Sequence, residues 1–199
     1  QWQLFYNLCC RSFEVTNLQN PGDQDINATA IINNANGLCN SSPKFTYLPF
    51  AYLCGNQAFT YNNGAIDAEG DSLVFELINP QNVQGVPIGY TSVLSATYPL
   101  HTLPAYNFGF SGNNGQFSFT PDGNQNASAT LLVTQYNKSG QKIGAIMRQL
   151  QFIIFNQKGH FFLSNIAYKH FTALNITWIK HDTITSIPLK KHDYHFDVL

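Results

Sequence analysis

The chain reads as an all-β protein, an antiparallel β-sandwich followed by a strand-rich C-terminal tail, on three grounds. An acidic turn, Asp67-Ala-Glu-Gly-Asp71, opens the alternating run Ser72-Leu-Val-Phe-Glu-Leu77. About forty residues on, Asn114-Gly-Gln-Phe-Ser-Phe-Thr-Pro121 pairs a glycine turn with a second alternating run. A third run, Ala129-Thr-Leu-Leu-Val-Thr-Gln-Tyr136, ends at the turn Asn137-Lys-Ser-Gly140. β-Branched and aromatic residues set between Gly, Asn and Pro clusters suit a pleated, half-buried surface.

The remaining elements follow from the same punctuation. Asn20-Pro-Gly22, Asn33-Asn-Ala-Asn-Gly37, Asn62-Asn-Gly64, Asn113-Asn-Gly115 and Asp122-Gly-Asn124 are turn signals. They separate expected strands at 2–9, 44–47, 57–61, 72–77, 116–120, 129–136 and 143–155. The last contains Arg148-Gln-Leu-Gln-Phe-Ile-Ile-Phe155, which begins in clean alternation and ends fully apolar, as a final core strand does. No amphipathic helix of useful length is present, and residues 21–35 have room for one helical turn. The order of acidic turn and strands is that of an immunoglobulin-like or cadherin-like domain, covering residues 1–156. It points to an extracellular binding or spacer module.

Residues 157–199 differ in character, with five of the six histidines, one glycine and no cysteine. Runs at 161–168, 174–179 and 184–189 still read as strands. So short a segment scarcely builds a core alone. It is expected to pack on the first domain, to begin a second β-domain, or to be loosely ordered.

Composition narrows the function. Only 11% of residues are charged, against about 25% in an average domain, so Asn, Gln, Ser and Thr must make the surface. A net charge of −1 gives no electrostatic basis for binding nucleic acid or anionic membrane. No apolar run reaches the roughly 18–20 residues of a membrane helix. Gln1-Trp-Gln-Leu-Phe-Tyr-Asn-Leu-Cys9 reads as a strand already under way. The expectation is a mature piece whose targeting segment lies upstream or has been removed.

Cys9, Cys10, Cys39 and Cys54 all fall in the first third. Neighbours in an extended strand point to opposite faces, so the expectation is two longer bridges. These join Cys9 and Cys10 to Cys39 and Cys54, in either order. The Cys-x2–4-Cys spacing of a zinc site is absent. Bridges place the protein outside the cytoplasm, secreted or at the cell surface.

Asp67, Glu69 and Asp71 alternate at i, i+2, i+4, and a looping backbone can converge them, with Asn62 and Asn63 close by. Hard oxygen ligands of this kind select Ca²⁺, although Ser72 and Ile78 stand where an EF-hand needs Gly and Glu. In the tail, His192-Asp-Tyr-His195 and the nearby His181-Asp182 offer a less specific metal pattern, read as surface. Glu14, Glu69 and Glu76 are carboxylates without a catalytic signature. No nucleophile elbow, His-Glu-x-x-His or phosphate loop occurs, and the reading is non-enzymatic. Sequons at Asn27, Asn40, Asn126, Asn137 and Asn175 mark segments expected to be exposable.

Several of these pieces together resemble a known group of proteins. They are Trp2 with Cys9-Cys10-Arg11 and Val15-Thr-Asn-Leu18; Asn40-Ser-Ser-Pro-Lys-Phe45; and Pro49 with Leu53-Cys-Gly-Asn-Gln-Ala-Phe59. Asp67–Leu73, Gly115–Pro121, Gln135-Tyr136, Gly140–Gly144 and Arg148–Phe152 complete the match, in order, over residues 2–156. This set resembles the large secreted cell-surface proteins of Bacteroidetes, built from Ig-like, PKD-like or cadherin-like domains and associated with gliding motility or adhesion. In that family the Trp…Cys-Cys-Arg segment closes a preceding β-domain. Cys39 lies outside the pattern, and Glu69 stands where the usual acidic turn has Asp.

The resemblance implies a structural or adhesive module of a bacterial surface protein or filament. Its partners would be neighbouring β-domains or further copies of the chain in a fibre, with surface glycans as an additional ligand class. The alternative is a carbohydrate-binding module, with a platform drawn from the aromatics of 90–98 and Tyr106-Asn-Phe-Gly-Phe110.

Overall fold

The computed structural model describes residues 1–35, 39–49, 52–156, 160–162, 175–180 and 183–188. It divides into two units, Gln1–Asn156 and Gln157–Leu199, at the boundary the composition marks.

The first unit is all-β. Its strands are β1 (Trp2–Leu8), β2 (Ile26–Ile32), β3 (Lys44–Phe45), β4 (Tyr52–Cys54), β5 (Phe59–Asn62) and β6 (Ala65–Ile66), then β7 (Ser72–Ile78), β8 (Phe108–Phe110), β9 (Gln116–Phe119), β10 (Gln125–Tyr136) and β11 (Lys142–Phe155). The main sheet has the order β1-β2-β11-β10-β7, with β4 added along the end of β11. All its pairings are antiparallel except β4 with β11. A smaller sheet, β5-β9-β8, and a two-stranded ribbon, β3-β6, complete the unit.

Alternation decides what lies between the sheets. In β10, Ala127, Ala129, Leu131 and Val133 share one face, and all are fully buried. In β11, Leu150, Phe152 and Ile154 join them. The smaller sheet presents an aromatic face: Phe59 and Phe108 flank Phe119, while Tyr61 and Phe110 flank Phe117. Phe152 meets Phe117 and Phe119 edge-on, with ring centroids 6.0 and 5.7 Å apart, in the arrangement aromatic quadrupoles favour. This is a sandwich core in which rings from one sheet fill the space over the alanines of the other. Toward the other end, Phe75, Leu131, Val133 and Ile146 close against Phe45 and Ala65 of the ribbon. There the Arg148 guanidinium lies 3.6 Å over the Phe45 ring.

A third apolar cluster, Val15, Leu18, Ile88 and Tyr90, is built from connecting segments. It rests where β7 ends at Ile78, opposite Thr130. Beyond that point the backbone N–H of Thr16 donates to Asn126 O at 2.7 Å. The fully buried Asn17 amide donates to Pro99 O and Ser128 O and accepts from the Ser128 N–H. One side chain thus supplies the pairing that a further strand residue would.

Most expected strands are present with shifted ends, and β10 and β11 run longer than expected, joined by the turn at Asn137. Residues 21–35 differ. One short 3₁₀ turn spans Pro21–Asp23, and Ile26–Ile32 forms β2, paired to both β1 and β11. Its inward positions, Ile26, Ala28, Ala30 and Ile32, are half alanine, which weakens the strand signal. Sequon Asn27 is buried, with its amide on Asn7, so the expectation that all five sequons mark exposable segments fails there.

The second unit contains β12 (His160–Phe162), β13 (Asn175–Lys180) and β14 (Thr183–Pro188), an antiparallel sheet in that order. Among the described residues no helix is long and apolar enough to cross a membrane.

Candidate functional site

The acidic turn precedes β7 and is folded around Asp67. Its Oδ1 accepts the backbone N–H groups of Glu69 and Asp71, at 3.1 and 2.8 Å. Gly70 makes this possible with a φ of 77°, a conformation side-chain-bearing residues avoid. The loop therefore winds about one carboxylate oxygen and turns the other toward the sheet.

That second oxygen meets Gln135, fully buried near the end of β10. Gln135 Nε2 donates to Asp67 Oδ2 at 2.6 Å and approaches Asp71 Oδ2 at 3.2 Å. The same amide pairs reciprocally with Asn40, Nε2 to Oδ1 at 2.8 Å and Nδ2 to Oε1 at 3.0 Å. The exposed Glu69 points elsewhere and accepts from the Ser41 hydroxyl at 2.8 Å. Asp67 and Asp71 thus converge, and Glu69 does not join them. Asn62 and Asn63 also stand apart: Asn62 accepts the Gly64 N–H, and buried Asn63 donates to Gly115 O.

Two amide hydrogens on Gln135 face three acceptors within 3.2 Å. The longest of these contacts is the one to Asp71 Oδ2. Gln135 and Asn40, 95 residues apart in the chain, carry no motif that would mark them. The usable signal is a glutamine in a strand whose neighbours are otherwise apolar or Thr.

The cysteines depart from expectation. Cys9 and Cys10 are bonded to each other, and Cys39 and Cys54 are free. Neighbours point to opposite faces only where an extended strand runs through both residues. β1 ends at Leu8, however, and the pair lies in the irregular segment after it. Among the described residues, Cys9, Cys10 and Asp25 form the group of three metal-type ligands whose atoms lie within 4.8 Å of one another. Sulfurs joined in a disulfide lack the thiolate a metal needs.

The aromatics of the carbohydrate reading separate. Tyr90 and Tyr98 are buried, and Phe108 and Phe110 pack against the core. Tyr106 alone of these is well exposed, at 67%, its ring 4.9 Å from that of Tyr98. The Tyr98 hydroxyl in turn accepts the Tyr106 N–H at 3.0 Å. Glu14 and Glu76 are exposed, on a loop and on β7. His181, Asp182, His192 and His195 lie outside the described residues, and the side chain at sequon Asn175 is not among those described.

No protein-family model, curated protein or solved structure matches this chain.

Proposed function

We propose that this chain is an extracellular, non-catalytic structural or adhesive module of a bacterial surface protein or filament, with a sandwich of Ig-like or cadherin-like type. The observation that carries the reading is the use made of Asp67 and Asp71. The most chemically suggestive groups in the sequence are spent on tying a loop, the segment at Asn40 and β10 to one buried amide. A scaffold spends its polar groups in this way; a catalytic site holds them open to substrate. The Cys9–Cys10 disulfide supports an oxidising compartment. Neighbouring β-domains and further copies of the chain are the partners this role implies.

Ca²⁺ belongs to the proposal at Asp67 and Asp71, because their Oδ2 atoms converge on one point and offer a cation hard oxygen ligands. If so, millimolar Ca²⁺ raises the melting temperature by mass action, and Asp71→Ala removes the rise. An unchanged melting temperature leaves the turn purely structural.

The role itself is tested on intact source cells. Antibodies against the full chain should label them without permeabilisation, and protease added outside should remove the signal. Labelling that requires permeabilised cells would overturn the reading.

A further inference from the structure

The two edges of the main sheet are built differently. On β7, the N–H of Phe75 is taken by Gly112 O at 2.9 Å, and Glu76 stands exposed along the strand. A loop contact and a charge are the usual protections of a sheet edge. β1 has neither. Its seven residues pair with β2 in unbroken register, and among the described residues no strand pairs with its other side. It contains no Pro, Gly or charged residue, and Trp2, Leu4, Phe5 and Tyr6 are 70, 59, 58 and 48% exposed.

The sequence of this edge is symmetric in chemical type. Trp2-Gln3-Leu4-Phe5-Tyr6-Asn7-Leu8 reads apolar, amide, apolar, Phe, apolar, amide, apolar in either direction. By register with β2, Trp2, Leu4, Tyr6 and Leu8 share the core-side face, and Gln3, Phe5 and Asn7 share the other.

We propose that β1 pairs antiparallel with β1 of a second copy about a two-fold axis at Phe5, joining the two main sheets into one. In that register Phe5 faces its own mate, Leu4 faces Tyr6, Trp2 faces Leu8 and Gln3 faces Asn7. Every apolar side chain meets an apolar one and every amide an amide, the cross-strand pairing that stabilises a ladder. The free N–H and C=O groups of both edges are satisfied at the same time. A two-fold contact needs a self-complementary surface, and a β1 edge with this pattern is one. A shift of one residue would set Gln3 against Tyr6 and lose the match.

The inference rests on the module reading, for which it names the partner, and it is tested separately, on purified full-length chain. Sedimentation equilibrium should show a monomer–dimer equilibrium at micromolar concentration. Phe5→Lys places two like charges at the axis and should weaken the dimer by at least about tenfold, while Phe5→Leu keeps it. A photoreactive benzoylphenylalanine at position 5 keeps an aromatic ring there, and its thermal melt checks folding. Irradiation should give a covalent dimer whose cross-link maps within residues 2–8 of the second copy. The same probe at exposed Phe13, off the strand, should give none. A strictly monomeric chain overturns the inference, as does a cross-link that maps within its own chain or outside β1 of the mate. A dimer of this kind in a protein confined to the cytoplasm would sink the surface role and leave the pairing standing.

Discussion

Gly144 faces Gln135 across the β10–β11 ladder, and the side chain one lacks gives the other its room. A Cβ at Gly144 would collide with Gln135 Oε1 and come within 3.2 Å of Ile31 O. Position 144 is closed by a buried amide on one side and β2 backbone on the other. Gly144→Ala should therefore destabilise the protein by about 1–3 kcal/mol, the range for overpacking a filled interior. Denaturant unfolding measures it. Gln135→Leu tests the same network from the other side: it strips the donor from two carboxylates and should cost at least about 1–3 kcal/mol. Together the two changes should cost less than the sum of their single effects, since they strain one contact.

The cysteine pattern gives a count. Unfolded without reductant, the chain should titrate two thiols, Cys39 and Cys54, and after reduction four. Peptide mapping should recover Cys9 and Cys10 in one fragment, two mass units lighter than its reduced form. Zero thiols before reduction, with Cys9 and Cys10 each mapped to a peptide carrying Cys39 or Cys54, would restore the two long bridges.

Tyr90 gives a pH dependence. Its hydroxyl is buried, with no hydrogen-bond partner among the described residues. Burial holds the phenol well above its ordinary value of 10.0, against a partial opposing pull from Arg11. Burial also lowers Arg11, to about 10. Above pH 10 the unfolded phenol releases its proton while the folded one keeps it. At Tyr90 the folded state then holds a proton that the unfolded one has lost, which lowers stability as pH rises by up to about 1.4 kcal/mol per pH unit. Arg11, lowered in the folded state, works in the opposite sense over the same range. Below pH 10 the Tyr90 contribution is constant. Tyr90→Phe should remove the downward contribution of Tyr90 to the alkaline slope, leaving the upward one of Arg11 and a smaller downward one from Tyr61, which burial also raises. It should also gain stability at neutral pH, by up to about 1–3 kcal/mol, because it removes an unsatisfied hydroxyl. Urea unfolding at pH 8, 9, 10 and 11 separates the two effects.

Tyr106 decides the carbohydrate alternative. A single exposed ring is a poor platform, and the expected result on a glycan array is no binding above background. Binding that disappears in Tyr106→Ala would favour that alternative over the structural role.

Much of the fold was legible because its core strands state their alternation plainly. β9 sets Phe117 and Phe119 on one face, and β7 announces itself through Ser72–Ile78. β2 was not legible, because alanines at its inward positions give little contrast, and its place depends on β1 and β11 instead. β8 is short and leans on β9, more than five residues away in sequence. At the candidate site, the acidic turn was readable from the spacing of Asp67, Glu69 and Asp71. Its partners were not, because Asn40 and Gln135 meet only through the tertiary fold. The cysteines misled for a local reason, the end of β1 at Leu8.

The amide of Asn17 sets an order of events during synthesis. Its acceptors lie 82 and 111 residues further along the chain, so the latch cannot close fully until Ser128 has left the ribosome. The strand that β2 joins, β11, emerges later still. The hairpin of β1 and β2 must therefore wait for a strand more than about a hundred residues further on, with its apolar faces open. Contacts this distant in sequence make folding slow, and the waiting chain is exposed to premature association. A chaperone that shields nascent β1 should raise the soluble yield, and a ribosome-stalled chain ending before β10 should be its best substrate.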